Sequence, residues 1–118
     1  MARRETWVYI AGPYTHGDVA ENVHNACLTW KALWDAGYVP ICPHWTHMQH
    51  IIEPMTYDRW LEYDTFLLSV CHAVLRIPGP SDGADKEVEM ATQIEIPVFF
   101  NMQSLVDTLP PNADEQSR

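Results

Sequence analysis

The chain has 118 residues, is 47% hydrophobic and carries a formal charge of −9 at pH 7. That length makes one domain with a real core and no room for a second, and the acidic balance argues against a nucleic-acid polymer as partner, since backbone binding needs clustered Lys and Arg. The three cysteines (Cys27, Cys42, Cys71) are odd in number and lie among apolar residues, as reduced core thiols do. No run reaches the roughly 18 apolar residues of a membrane span. Met1 to Glu5 leads into a short strand with no cleavage site, so no signal peptide is read. A soluble, cytoplasmic protein is expected.

Thr6 to Ala11 is β-branched and aromatic and ends at Gly12-Pro13, which predicts a buried first strand. The loop Gly12 to Asp18 follows, with Asp18 as a helix cap. Val23, Ala26, Cys27, Trp30, Leu33 and Trp34 recur at three and four, which predicts a helix from Val19 to Ala36 closed by Gly37 in the left-handed region. Tyr38 to Cys42 reads as a second strand ending at Pro43. Strand, helix, strand over this length is a βαβ unit with a right-handed crossover. His44 to Met55 reads as an irregular lid or a short helix. Thr56 caps a helix to Val70, with Trp60, Tyr63, Leu67 and Val70 expected on one face and Asp64 beside Trp60 and Leu67. Ala73 to Ile77 is a third strand. It breaks at Pro78-Gly79-Pro80-Ser81-Asp82-Gly83 and hands over to a helix carrying Lys86, Glu87 and Glu89. Pro97 to Phe100 is a fourth strand and Gln103 to Leu109 a last helix. The domain is expected to cover residues 1–109, followed by a disordered tail from Pro110 to Arg118.

Candidate chemistry collects where strands end: Tyr9 and the loop Gly12 to His16, then His44, then Ser81 to Glu87, then Asn101. In a doubly wound sheet these ends share one edge and converge on one crevice. The plain alternative is that Gly, Pro, Ser and Asp only punctuate loops. Glu87 and Asp64 are the sharpest pair, because two carboxylates in one cleft can divide glycosidic chemistry between them. Against this, Asp85, Lys86, Glu87 and Glu89 form a charged run of the kind a solvated helix face carries. His44, His47 and His50 raise a metal site, but there is no paired Cys-x-x-Cys, and zinc peptidases space their His pair four apart around a Glu. No metal is assigned. Nothing matches a Walker loop or a G-x-G-x-x-G turn.

The residues together resemble the nucleoside 2-deoxyribosyltransferase superfamily, which includes nucleoside 5′-monophosphate N-glycosidases. The resemblance is carried by Tyr9-Ile10-Ala11-Gly12-Pro13-Tyr14, by Gly37-Tyr38-x-Pro40, by Pro43-His44, by Asp64 eight positions before His72-Ala73-Val74, and by Ser81-x-Gly83-x-x-x-Glu87-x-x-x-Ala91. It spans about residues 7–100. It implies a three-layer α/β/α fold with a small, mostly parallel sheet of the flavodoxin or Rossmann-like kind. It also implies a covalent glycosyl intermediate on Glu87, with Asp64 near the sugar carbons or protonating the departing base and Tyr9 orienting Glu87. Ser81, Gly83 and the loop holding Gly12, Tyr14 and Thr15 would receive the 5′ end of a small-molecule nucleoside or nucleotide, and His44 would contact substrate. No cofactor or metal is needed. Family members are homo-oligomers in which a neighbour completes the pocket, the role implied for Asn101 or Met102.

Three departures matter. Ser81 stands where the nucleoside transferases carry Asp, and a hydroxyl can donate to a phosphate where a carboxylate repels it. Thr15 and His16 stand where the monophosphate enzymes carry Arg. His72 replaces a usual Asp and is read as structural. Hydrolysis of a (deoxy)nucleoside 5′-monophosphate is the expected activity. Exchange of 2-deoxyribose between bases and a non-catalytic nucleotide-binding module are the alternatives.

Overall fold

The computed structural model describes residues 6–111. Four strands, β1 (Trp7–Ala11), β2 (Val39–Ile41), β3 (Ala73–Arg76) and β4 (Val98–Phe99), form one sheet in the order β2-β1-β3-β4. Every pairing is parallel, with Tyr9 opposite Ile41 on one side and Val74 on the other. Parallel strands need helical crossovers, and five helices supply or extend them: α1 (Val19–Asp35), α2 (His47–Ile52), α3 (Tyr57–Ser69), α4 (Asp82–Gln93) and α5 (Met102–Thr108).

The alternation of side chains along a strand sorts β1 between two layers. Val8 and Ile10 pack with Ala26 and Leu33 of α1 and Leu105 of α5, whereas Tyr9 and Ala11 pack with Leu68 of α3 and Ala84 and Ala91 of α4. The result is the expected three-layer α/β/α arrangement, with β1 buried from Val8 to Ala11. Tyr9 therefore faces α4. The connections run to opposite sides of the sheet from β1 and β3, which makes the carboxyl ends of these two strands the switch point where open α/β sheets form a crevice.

Local chemistry holds those loops. Asp18 caps α1, Thr56 caps α3 and Ser81 caps α4, each accepting a backbone N–H of its helix's first turn. Arg76, buried at the end of β3, donates to the carbonyls of Ile77 and Gly79 and pairs with Asp85 at 3.0 Å. Gly79 has φ +124, and a Cβ there would lie 2.8 Å from Pro13. Only glycine lets the β1 and β3 loops approach so closely. His72 Nδ1 accepts from Trp7 N at 2.9 Å, which closes the start of the β1–β3 pairing and makes position 72 structural.

The segment after β2 is a 3-10 turn, Pro43–Thr46, running into the short helix α2, one of the two forms expected there. Other expectations need correction. The inward line of α3 is Leu61, Asp64, Thr65 and Leu68, with Tyr63 and Val70 exposed. The helix is rotated by about one residue from the apolar reading because Asp64, a charged residue, belongs to its inner face. Cys27 is exposed on α1, unlike Cys42 and Cys71, because the buried stripe narrows to Ala26 and Leu33. Pro111 is buried, and a Cβ on Gly37 (φ +103) would meet it at 3.0 Å, so this residue of the expected tail packs on the domain. The rest of the expected tail, 112–118, and the N-terminal residues 1–5 lie outside the described residues. Among the described residues no helix is long and apolar enough to cross a membrane.

Candidate active site

Glu87 points inward because of its neighbours on α4. The buried residues of that helix are Ala84, Glu87 and Ala91, spaced at three and four, and the two alanines let the helix lie close to the sheet. Glu87 is only 7% exposed. The charged run that sequence suggests is real for Asp85, Lys86 and Glu89, all exposed, but Glu87 lies on the opposite side of the helix from that solvated face. Tyr9 Oη donates to Glu87 Oε2.

Asp64 reaches the same place from α3. Burial raises the pKa of Glu87, and the negative charge of Asp64 raises it further against the lowering effects of the Tyr9 hydrogen bond and of Arg76. Burial likewise raises Asp64, and burial, then the charge of Glu87, hold the Tyr9 phenol well above its ordinary value. Asp64 is raised to about 7 and Glu87 to about 8. The pair therefore keeps a proton into the neutral range. Glu87 has Tyr9 as a donor and Arg76 nearby. Asp64 has neither, and its Oδ1 has no hydrogen-bond partner among the described residues. Glu87 is raised the further of the two, so the proton rests mainly on Glu87 in the free protein. The Tyr9 donor and Arg76 stabilise the alternative arrangement, charge on Glu87 and proton on Asp64, in which Glu87 can act as a nucleophile.

This dyad borders a cavity of about 690 Å³, within the range of small-molecule sites. Gly12, Tyr14, Thr15, His44, Asp64, Ser81, Gly83 and Glu87 line it, so eight of the ten residues singled out from sequence share one wall system. Tyr9 is fully buried behind Glu87. Asn101 lies outside: its side chain caps α5, accepting from Ser104 N at 2.8 Å, and its strand is at the far edge of the sheet.

Sequence reasoning missed other lining residues: Lys86, Tyr57, Trp60, Thr46 and His50. Lys86 looked like part of a surface run, yet its Nζ sits 5.0 Å from the centre of the Tyr57 ring, the geometry of a cation over an aromatic face. Tyr57, Trp60, Leu61 and Asp64 all line the cavity from α3 at helical spacing. The signal was present, since Asp64 was placed beside Trp60, but Trp60 was grouped with the apolar face of the helix and not with the site.

The lid histidines go to separate partners. His44 Nε2 donates to Pro13 O at 3.0 Å, and burial pushes its pKa down, so the ring is neutral. His47 Nδ1 meets Tyr14 Oη at 2.6 Å, tying the β1 loop to α2. His50 Nδ1 accepts from Trp60 Nε1 at 2.8 Å. Among the described residues no group of three His, Cys, Asp or Glu is placed to hold a metal ion.

A search of the curated proteins finds no match to this chain. A family model does match, over residues 6–101, a span that runs from the first residue of the described fold to the cap of α5 and so contains the whole cavity. On that match the protein belongs to DUF7768, a family described as a domain of unknown function.

Proposed function

We propose that the protein cleaves the N-glycosidic bond of a (deoxy)nucleoside 5′-monophosphate by double displacement. The observation that carries this reading is the Tyr9–Glu87–Asp64 cluster: two buried carboxyls that share a proton, one of them held by a phenol, both beside a cavity of substrate size. The Glu87 carboxylate attacks C1′ and the C1′–N bond breaks. Its electron pair passes to the base, which takes the proton of Asp64. Water then attacks C1′ and gives its proton to the Asp64 carboxylate. That releases Glu87 and a sugar 5-phosphate, with retained configuration at C1′. Tyr9 holds the Glu87 oxygen that is not attacking.

The 5′ end is assigned to Ser81, Gly83 and Lys86. The Ser81 oxygen accepts from Ala84 N at 3.0 Å, so its hydrogen is free for a phosphate oxygen. Among the described residues Lys86 is the only Lys or Arg lining the cavity, and it supplies the charge that the first loop lacks. Asp82 lines the cavity as well and opposes it, while Asp85 is paired with Arg76. The buried free thiols of Cys42 and Cys71 support a reducing, cytoplasmic setting. Exposed Met48, Ile51 and Ile52 on α2 and Phe66 on α3 support a homo-oligomer.

Incubation with dCMP, dUMP, dAMP, dGMP and the corresponding nucleosides, with detection of free base, tests the reading. Base release that Glu87→Ala abolishes supports it. Exchange onto an added second base, without net hydrolysis, would make the protein a transferase through the same intermediate. Tight binding with no release from any of them would leave a nucleotide-binding module and overturn the enzyme.

A further inference from the structure

Two lid residues have their hydrogen-bonding roles fixed in advance. His50 Nδ1 accepts from Trp60 Nε1 at 2.8 Å and from Met55 N at 3.2 Å. A ring nitrogen that accepts carries no hydrogen, so the neutral imidazole has its proton on Nε2 and presents only a donor there. Thr46 is the converse. Its hydroxyl donates to Pro43 O at 2.7 Å, which leaves the Oγ1 lone pairs as an acceptor. Both residues line the cavity and lie four apart along the continuous turn of the 3-10 segment and α2, the spacing that makes neighbours on one helix face. Trp60, which braces His50, is one helical turn from Asp64 on α3. The glycosidic chemistry assigns no role to either lid residue.

We infer that Thr46 and His50 read the departing base, His50 Nε2–H donating to a ring nitrogen or carbonyl oxygen and Thr46 Oγ1 accepting from the adjacent N–H or amino group. The inference rests on the proposed glycosidic reading and names what that reaction releases: a heterocycle whose edge sets an acceptor beside a donor, as nucleobases do. The donor does more than select. As the C1′–N bond breaks, negative charge spreads onto the ring nitrogens and carbonyl oxygens of the base. The bond from His50 strengthens as that charge develops, which lowers the barrier and not only KM.

The test measures base release by the wild-type protein, His50→Phe, His50→Gln and Thr46→Val from dCMP, dUMP, dAMP, dGMP and 7-methyl-dGMP, with a melting curve for each variant. His50→Phe should lower kcat/KM for the best unmodified substrate about 100-fold, mostly in kcat. It should slow 7-methyl-dGMP far less, because that base is cationic before cleavage and leaves without needing a donor. His50→Gln, which keeps an N–H at the tip, should recover a large part of the loss. Thr46→Val should cost about 10-fold in kcat/KM. Equal slowing of all five substrates would make His50 only a brace for Trp60 and α2, and unchanged rates would remove any role; either result overturns the inference alone. A wild-type protein that releases no base from any of the five overturns the glycosidic reading, and this inference with it.

Discussion

Tyr9 and Glu87 stand 78 positions apart in the chain and meet in a buried hydrogen bond between β1 and α4. Strand alternation aims the phenol at α4, and the Ala84–Glu87–Ala91 stripe aims the carboxyl at β1. Tyr9→Phe keeps the packing and removes the donor. Base release should fall by about 10- to 100-fold while stability changes by about 1 kcal/mol. Tyr9 lowers the pKa of Glu87, so without it Glu87 ionises at higher pH and the acid limb of the kcat profile should move upward. A pH–rate series on the two proteins checks this.

Burial of the dyad sets the pH dependence of stability. The pKa values of Glu87 and Asp64 are raised in the fold. Between the ordinary carboxylate range, about 4, and the raised values, the folded chain holds a proton that the unfolded chain has lost. Stability therefore falls as pH climbs through that interval, and below it the groups have no effect. Glu87→Gln should be inactive, should melt higher than the wild type at pH 9, by on the order of 2 kcal/mol, and should show a flatter decline. Urea melts from pH 4 to 9 read the two slopes.

Lys86 should separate nucleotide from nucleoside. Lys86→Ala is expected to raise KM for a 5′-monophosphate about 10-fold, as loss of one charge-assisted hydrogen bond does, and to leave any reaction with the nucleoside unchanged. Steady-state kinetics on both substrates measure this. Equal effects on both would detach Lys86 from the phosphate.

The clasp between the β1 and β3 loops depends on Gly79. Gly79→Ala places a methyl 2.8 Å from Pro13 in a backbone conformation with φ +124, and should cost about 1 to 3 kcal/mol. Melting with and without a bound nucleotide follows the loss. The liganded difference should shrink too, because the displaced Pro13 carries the carbonyl that orients His44.

The exposed apolar residues of α2 and α3 should be covered in solution. Sedimentation of the wild-type protein is expected to give a homo-oligomer, and Phe66→Asp, at a position 65% exposed, should shift it to monomer without lowering its intrinsic fold content by circular dichroism. A wild-type monomer at all concentrations removes the oligomer.

The sheet and its crossovers were legible because their signals are local. Trp7-Val8-Tyr9-Ile10 ends at Gly-Pro, and Asp18 and Thr56 each cap the helix that sequence assigned to them, while Ser81, singled out for substrate, also caps α4. Convergence of the strand ends followed from parallel topology alone, which is why Gly12, His44, Ser81 and Glu87 were found together; Asp64, on α3, was found as a second carboxylate and through the resemblance. The misses came from tertiary packing. Trp60 lines the cavity because α3 turns Asp64 inward, and no apolar count reveals that a carboxylate belongs to the inner face. Lys86 was hidden by the exposed acids beside it. Asn101 follows a strand end, but that strand is outermost and its side chain is used as a cap. Pro111 looked like tail because its contact, Gly37, lies on the far side of the sequence.

The two-layer alternation of β1 carries a consequence for how such a site can evolve. Val8 and Ile10 belong to one core and Tyr9 and Ala11 to the other, so side-chain swaps in this strand can be absorbed one at a time. A single inserted or deleted codon cannot, because it would exchange the two sets, hand the phenol to the wrong side and strip both cores at once. Homologues that keep the chemistry should vary freely in loop length on either side of this strand, and never within it.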